Sequence, residues 1–226
     1  MIDALRKTFG QLASRSFAWV LVRALGLTLI LFVALFWLTQ WGLGALPATP
    51  WSWLDAALKF LAGAGLIVSF FFLLFPVAAL FVGMFLEEVA AAVEARHYPG
   101  DAPAKGPDLL AGLSAGIGFF LTVVALNLVL LPVYLFLPVL NVFVFLVVNG
   151  YLIGREYFEM VALRHAPPPR VRRLRRRFGW RIFGTGLVIA IPLTIPLVNL
   201  IGPLFGAALM VHVYKDIERR ALDAGI

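Results

Sequence analysis

Two of the four long apolar stretches in this 226-residue chain are interrupted at mid-length by the same five-residue pattern. Leu137-Pro138-Val139-Leu140-Asn141 and Ile195-Pro196-Leu197-Val198-Asn199 both read aliphatic, proline, aliphatic, aliphatic, asparagine. Proline removes a helical N–H and turns the preceding residue away from helix, while Asn can cap a following helix, so each string predicts a helix, a reversal and a second helix. A turn built for bulk water would carry Gly, Ser, Asp or Lys, and apart from the Asn these tips carry none. The arms of the second reversal, Ile182–Ile195 and Leu200–Val213, have 14 residues each. At 1.5 Å per residue that is roughly 21 Å, short of the roughly 30 Å hydrocarbon core of a bilayer. The expectation is two re-entrant hairpins whose tips stop inside the membrane, where protein, Asn side chains or trapped water must satisfy the backbone. Six ordinary spans with tight turns at the far surface is the alternative.

A membrane setting follows from composition. Hydrophobic residues make up 62% of the chain and charged ones 14%, too few to cover a water-facing globule. The other two apolar stretches, Ala18–Leu46 and Ala56–Leu86, each exceed the roughly 20 residues that cross a bilayer. Trp37 and Trp41 precede the short link between them, and Trp51 and Trp53 lie in it, as expected where a hairpin meets the headgroups. Ahead of them, Ile2, Leu5, Phe9, Leu12 and Phe17 fall near one helical face, which suits a helix lying at the interface; a polar leader before the first span is the other reading. Asp3, Arg6, Lys7, Arg15 and Arg23 interrupt this region, so it does not read as a cleaved signal. The fold expected is a single all-α integral membrane domain over 1–226. It comprises an interfacial helix at 2–17, two long transmembrane helices at 18–46 and 56–96, and hemi-penetrating helical hairpins at 109–165 and 171–222.

The charges orient it. The formal net charge is +7, and seven arginines lie between Arg170 and Arg181. With Arg6, Lys7 and Arg15 before the first span and Lys215, Arg219 and Arg220 after the last stretch, they place both termini and this basic loop in the cytoplasm. The loop's first expected partner is anionic lipid at Arg170–Arg181, ahead of nucleic acid or a free anion. Glu87, Glu88 and Glu94 continue a helix beyond the second span. Glu87 and Glu88 are adjacent and point to different faces, so ion pairs with a basic segment are expected rather than acid–base chemistry. Arg155 and Glu159 are four apart and can pair along a helix; with Glu156 they could line an anion or proton path, or simply close the end of a helix. The chain has no Cys, and its three histidines, His97, His165 and His212, lie far apart in sequence. No metal, no cofactor and no enzyme activity are expected, and no nucleotide motif points to ATP.

Phe75-Pro76, Phe85-Leu86-Glu87-Glu88-Val89, Val93-Glu94, His97-Tyr98-Pro99, the first Pro-x-x-Asn string and Gly154-Arg155-Glu156-Tyr157-Phe158-Glu159 together resemble the CysZ/EI24 family of bacterial inner-membrane proteins, in the same order over nearly the whole chain. That resemblance implies half-inserted hairpins, a homo-oligomer and uptake of sulfate or a similar oxyanion for cysteine biosynthesis. Sulfate-transporting members carry an arginine-rich start to the first spanning helix. Here the corresponding segment is Leu12–Phe17, and only Arg15 carries over. Ser14, Arg15 and Ser16 could form the anion nest such a site needs, or could be a Ser N-cap beside a topology-setting Arg. Under the transport reading Asn141 and Asn199 line the inner end of a pathway, and Arg155, Glu156 and Glu159 gate it. The competing reading is a non-transport membrane-organising or lipid-interacting protein.

Overall fold

The computed structural model describes residues 2–45, 50–101, 104, 109–136, 141–193 and 195–225. Among these residues every regular element is helical: α1 (Ile2–Leu12), α2 (Arg15–Ala45), α3 (Ser52–Met84), α4 (Leu86–His97), α5 (Leu109–Phe136), α6 (Asn141–Ala162), α7 (Pro168–Arg177), α8 (Gly179–Leu193), the single turn α9 (Pro196–Asn199) and α10 (Gly202–Asp223).

Helix α10 is the axis of the packed part. Every residue from Gly202 to Lys215 is buried, as are Ile217 and Ala221, because α1, α4, α6 and α8 all pack on it. The tightest seam joins α6 to α8, where Gly150 and Gly154 meet Gly186. A Cβ on Gly186 would lie 2.6 Å from Gly154 N and 2.7 Å from Gly154 Cα, and one on Gly154 would lie 2.5 Å from the Ile182 carbonyl oxygen. Only hydrogen fits between these backbones.

The α2–α3 pair is built differently. Phe17, Val20, Ala24, Thr28 and Phe32 recur at steps of three and four along one stripe of α2 and are buried. The rest of the pair presents Trp19, Trp37, Phe60, Phe71 and Phe72 outward. Phe32 meets Phe70 edge-on, with ring centroids 5.1 Å apart. Arg15–Ala45 and Ser52–Leu74 are both long and apolar enough to cross a bilayer, whereas Ile117–Val133 and Gly179–Leu193 are shorter apolar segments.

Several sequence expectations need revising. The interfacial helix stops at Leu12, and Phe17 belongs to the buried stripe of α2. The residues that α1 buries are polar, Thr8 and Gln11, while Ile2 and Phe9 face outward. Leu5 and Leu12 are partly buried against the core and the Phe9 ring lies 5.3 Å from that of buried Phe205, so the apolar edge of α1 is shared between the protein and its surroundings. The helix expected to run on to residue 96 breaks at Phe85, whose φ of −104° and ψ of 7° lie outside the helical range. That break turns Val89, Ala90 and Val93 into the core. The proline-hinged basic loop is itself a helix, α7. Pro168 occupies its first turn, where no N–H is needed, and Val171 and Leu174 bury its inner side.

Of the two Pro-x-x-Asn strings, 137–140 lie outside the described residues. The second is resolved as an extended Ile195 followed by α9, and α8 and α10 pack against each other beyond it. Asn199 does not cap α10: Ile201 occupies that position, without a side-chain cap bond.

Candidate functional site

Three polar junctions hold the residues that carry chemistry. The first is the start of α2. The Ser14 carbonyl accepts the first helical bond from Ala18 N–H at 3.1 Å, so Ser14 sits at the N-cap position. Its hydroxyl is buried and makes no hydrogen bond, and the same is true of Oε1 of the adjacent, fully enclosed Gln11. Arg15 and Ser16 are exposed, and Arg15 has no acidic partner among the described residues. Arg15 and Ser16 thus stand exposed at a helix N-terminus, the end of a helix dipole that carries partial positive charge.

The second junction lies where α5, α6 and α7 meet. Arg155 donates from Nε to Glu159 Oε1 at 3.1 Å, the i to i+4 pairing read from the sequence. Arg155 also reaches Thr122 Oγ1 on α5, and Arg175 of α7 closes on the same Glu159 oxygen. Arg155 and Glu159 retain only 12% side-chain exposure each, so one carboxylate holds two guanidiniums out of bulk water. Glu156 is exposed and, among the described residues, makes no hydrogen bond or ion pair with them, though its charge lies close enough to feel those of Arg155 and Glu159. Asn199 is half-buried at the α9 turn, and the Asn141 side chain lies outside the described residues. Among the described residues, no hydrogen bond or ion pair joins the Ser14–Ser16 corner to the Arg155 cluster.

The third junction could not be read from sequence spacing. Glu94 on α4 accepts from Arg164 at 3.0 Å and contacts His165 Nε2 at 2.8 Å, while Arg164 also donates to the Glu87 carbonyl at 2.7 Å. Burial raises the Glu94 pKa, but the His165 hydrogen bond and the Arg164, His165 and Lys215 charges outweigh it, so the carboxyl sits below its ordinary value. Nearby, Tyr98 Oη and His212 Nδ1 are 2.8 Å apart, and the His97 and His212 rings meet edge-on with centroids 5.0 Å apart. Two of the three widely separated histidines are therefore neighbours in space. Burial, helped by His97 and Lys7, pushes His212 down to about 4. Among the described residues no group of three or more His, Asp or Glu side chains is placed to hold a metal ion.

The expected ion pairing of Glu87 and Glu88 with a basic segment is met only in part, by Glu88, and with Arg23 of α2 rather than with the Arg-rich segment. Glu88 meets Arg23 at 2.9 Å, and the Arg23 guanidinium lies over the Phe85 ring at the helix break, 5.9 Å from its centroid. Glu87 accepts from Arg164 through its backbone carbonyl, and its side chain makes no ion pair among the described residues.

Among the described residues every regular element is helical, and two helices are long and apolar enough to cross a bilayer. Comparison with protein families identifies the chain. Residues 4–203 match the family described as sulfate transporter CysZ/etoposide-induced protein 2.4, and the chain belongs to it. A comparison with curated proteins found no match. The matched family is one of membrane and transport proteins, not of enzymes.

Proposed function

We propose that this protein passes a small oxyanion, sulfate first, across a bacterial inner membrane, feeding cysteine synthesis. Membership of the CysZ/EI24 family carries the reading, and the corner at the start of α2 supports it. An incoming dianion there meets the helix N-terminus, the exposed Ser16 and the unpaired Arg15, with the enclosed Ser14 hydroxyl behind them. Both termini and α7 face the cytoplasm, where the arginines lie, and the Trp51–Trp53 link faces outward.

In this reading the α5–α6 and α8–α10 hairpins enter the membrane without crossing it, and their Asn-bearing tips, at Asn141 and Asn199, line the inner end of a pathway between subunits of a homo-oligomer. Arg155, Glu159 and Arg175 act as the gate. One carboxylate shared between two arginines leaves a net positive charge next to hydrocarbon, which an anion can compensate as it passes. Glu156, which faces outward, is available to move a proton at the mouth of the path.

Uptake of radiolabelled sulfate by proteoliposomes, against empty liposomes, tests the proposal. Uptake above the control, reduced about tenfold by Arg15→Ala for loss of a charged hydrogen-bond donor, supports it. Uptake at the empty-liposome level overturns it and leaves the non-transport, lipid-interacting role. Full uptake in the Arg15→Ala protein removes the site assignment while leaving transport standing.

A further inference from the structure

A separate feature lies on the other side of the α7–α8 junction. An open, mostly apolar groove of about 710 Å³ is lined by Leu126 of α5, Val147 of α6 and Phe183 of α8. That volume falls within the roughly 300–1,000 Å³ of sites that hold small molecules. Its lining also carries Arg176 and Arg177 from the last turn of α7 and Trp180 from the first turn of α8. Arg181 also borders the groove but is committed to Asp216. Arg176 and Arg177 are exposed, and neither makes an ion pair among the described residues. Trp180 is 86% exposed and edge-on to Phe183, at 5.9 Å.

We infer that this groove is a binding site for one anionic glycerophospholipid of the cytoplasmic leaflet, with an acyl chain along Leu126, Val147 and Phe183 and the headgroup phosphate between Arg176 and Arg177. The lining has the chemistry of such a lipid: along the α7–α8 segment guanidiniums that pair bidentately with phosphate are followed by an indole and then a phenyl ring, and α5 and α6 add aliphatic side chains. A free oxyanion would have no use for the apolar side chains. A protein partner would leave two arginines to be matched by acids, whereas phosphate matches them directly. The inference is independent of what the protein transports, since it concerns neither Arg15 nor the Arg155 cluster.

The test uses the full-length protein reconstituted in nanodiscs of mixed phosphatidylglycerol and phosphatidylcholine, then released for native mass spectrometry to read retained lipid. The expected result is selective retention of phosphatidylglycerol. R176Q/R177Q should lower that selectivity by at least about tenfold, from the loss of charge-assisted hydrogen bonds to the phosphate. R172Q/R173Q, which removes the same charge from exposed positions of the same helix outside the groove, should leave it unchanged, and V147W, which adds bulk to the lining, should reduce total retention. Equal losses in the two double variants would mean diffuse attraction to a polybasic helix and would overturn the site. So would an absence of selectivity in the unaltered protein, or a V147W protein that keeps its lipid but changes oligomeric mass, since a second copy would then cover the groove.

Discussion

Helices α2 and α10 are both rich in apolar residues, yet they use them for opposite purposes. Sixteen of the 22 residues of α10 are buried by the protein, against five of 31 in α2. High hydropathy says only that a segment leaves water. It does not say whether protein or lipid replaces that water, and the deciding feature is residue size. Where α6 meets α8, glycines let backbones touch; where α2 and α3 face outward, Trp and Phe fill the surface and leave nothing for another helix of this chain to interlock with. The packed half therefore stands on close fit and buried ion pairs, and the α2–α3 half on the solvent around it.

The sharpest way to break that contrast is at Gly186. Gly186→Ala forces a methyl into the Gly150 carbonyl and the Gly154 backbone, and should cost about 3 kcal/mol or abolish the folded protein, because backbone cannot move aside. Gly184→Ala on the same helix, with open space around it, should be neutral; thermal unfolding in detergent, followed by size-exclusion fluorescence, reads both. Next is Glu94→Gln. It leaves the nearly enclosed Arg164 without its carboxylate, and the expected loss is about 3 kcal/mol in the same assay.

These two predictions also separate what sequence could reveal from what it could not. The apolar stretches, the Arg155–Glu159 pair and the family were legible because their signals are local: run length, i to i+4 spacing and short motifs. The Glu94 junction was not, since Arg164 lies 70 residues away and no periodicity links the two. The same holds for His97 beside His212, and for Arg175 joining Glu159. No proline marks the break at Phe85, and the run of prolines before α7 suggests a loop although Pro168 stands in the first turn, where a helix tolerates it.

A third prediction concerns pH. His212 titrates at about 4 when folded and near its ordinary 6.5 when unfolded, so the unfolded chain binds more protons in between and stability falls as pH drops through that window. The surrounding groups are His97, Tyr98, Lys7 and Asp3, and by pH 5 the loss should reach roughly 2 kcal/mol. Glu94, lowered from its model-peptide value, adds a further loss only below about pH 4.5. His212→Gln should flatten the decline between pH 7 and pH 5 without removing the later one. The smallest effect belongs to the other region. Phe72→Ala on α3, at a side chain 78% exposed, should change stability in detergent by less than about 1 kcal/mol, whereas Leu209→Ala on α10, fully buried, should cost about 2–5 kcal/mol.

The central claim is that α2 and α3 cross the membrane while α8 and α10 enter and return. The chain has no cysteine, so single cysteines can be placed without a background. Positions 53, 195 and 222 are all exposed on the protein itself, and labelling with a membrane-impermeant maleimide in oriented vesicles reports which side each one meets. Trp53→Cys should label only from the outside and Leu222→Cys only from the cytoplasmic side, with Ile195→Cys protected from both. Labelling of Ile195→Cys from the same side as Trp53→Cys would place the α8–α10 turn at the outer surface, and the chain would be a six-span protein instead.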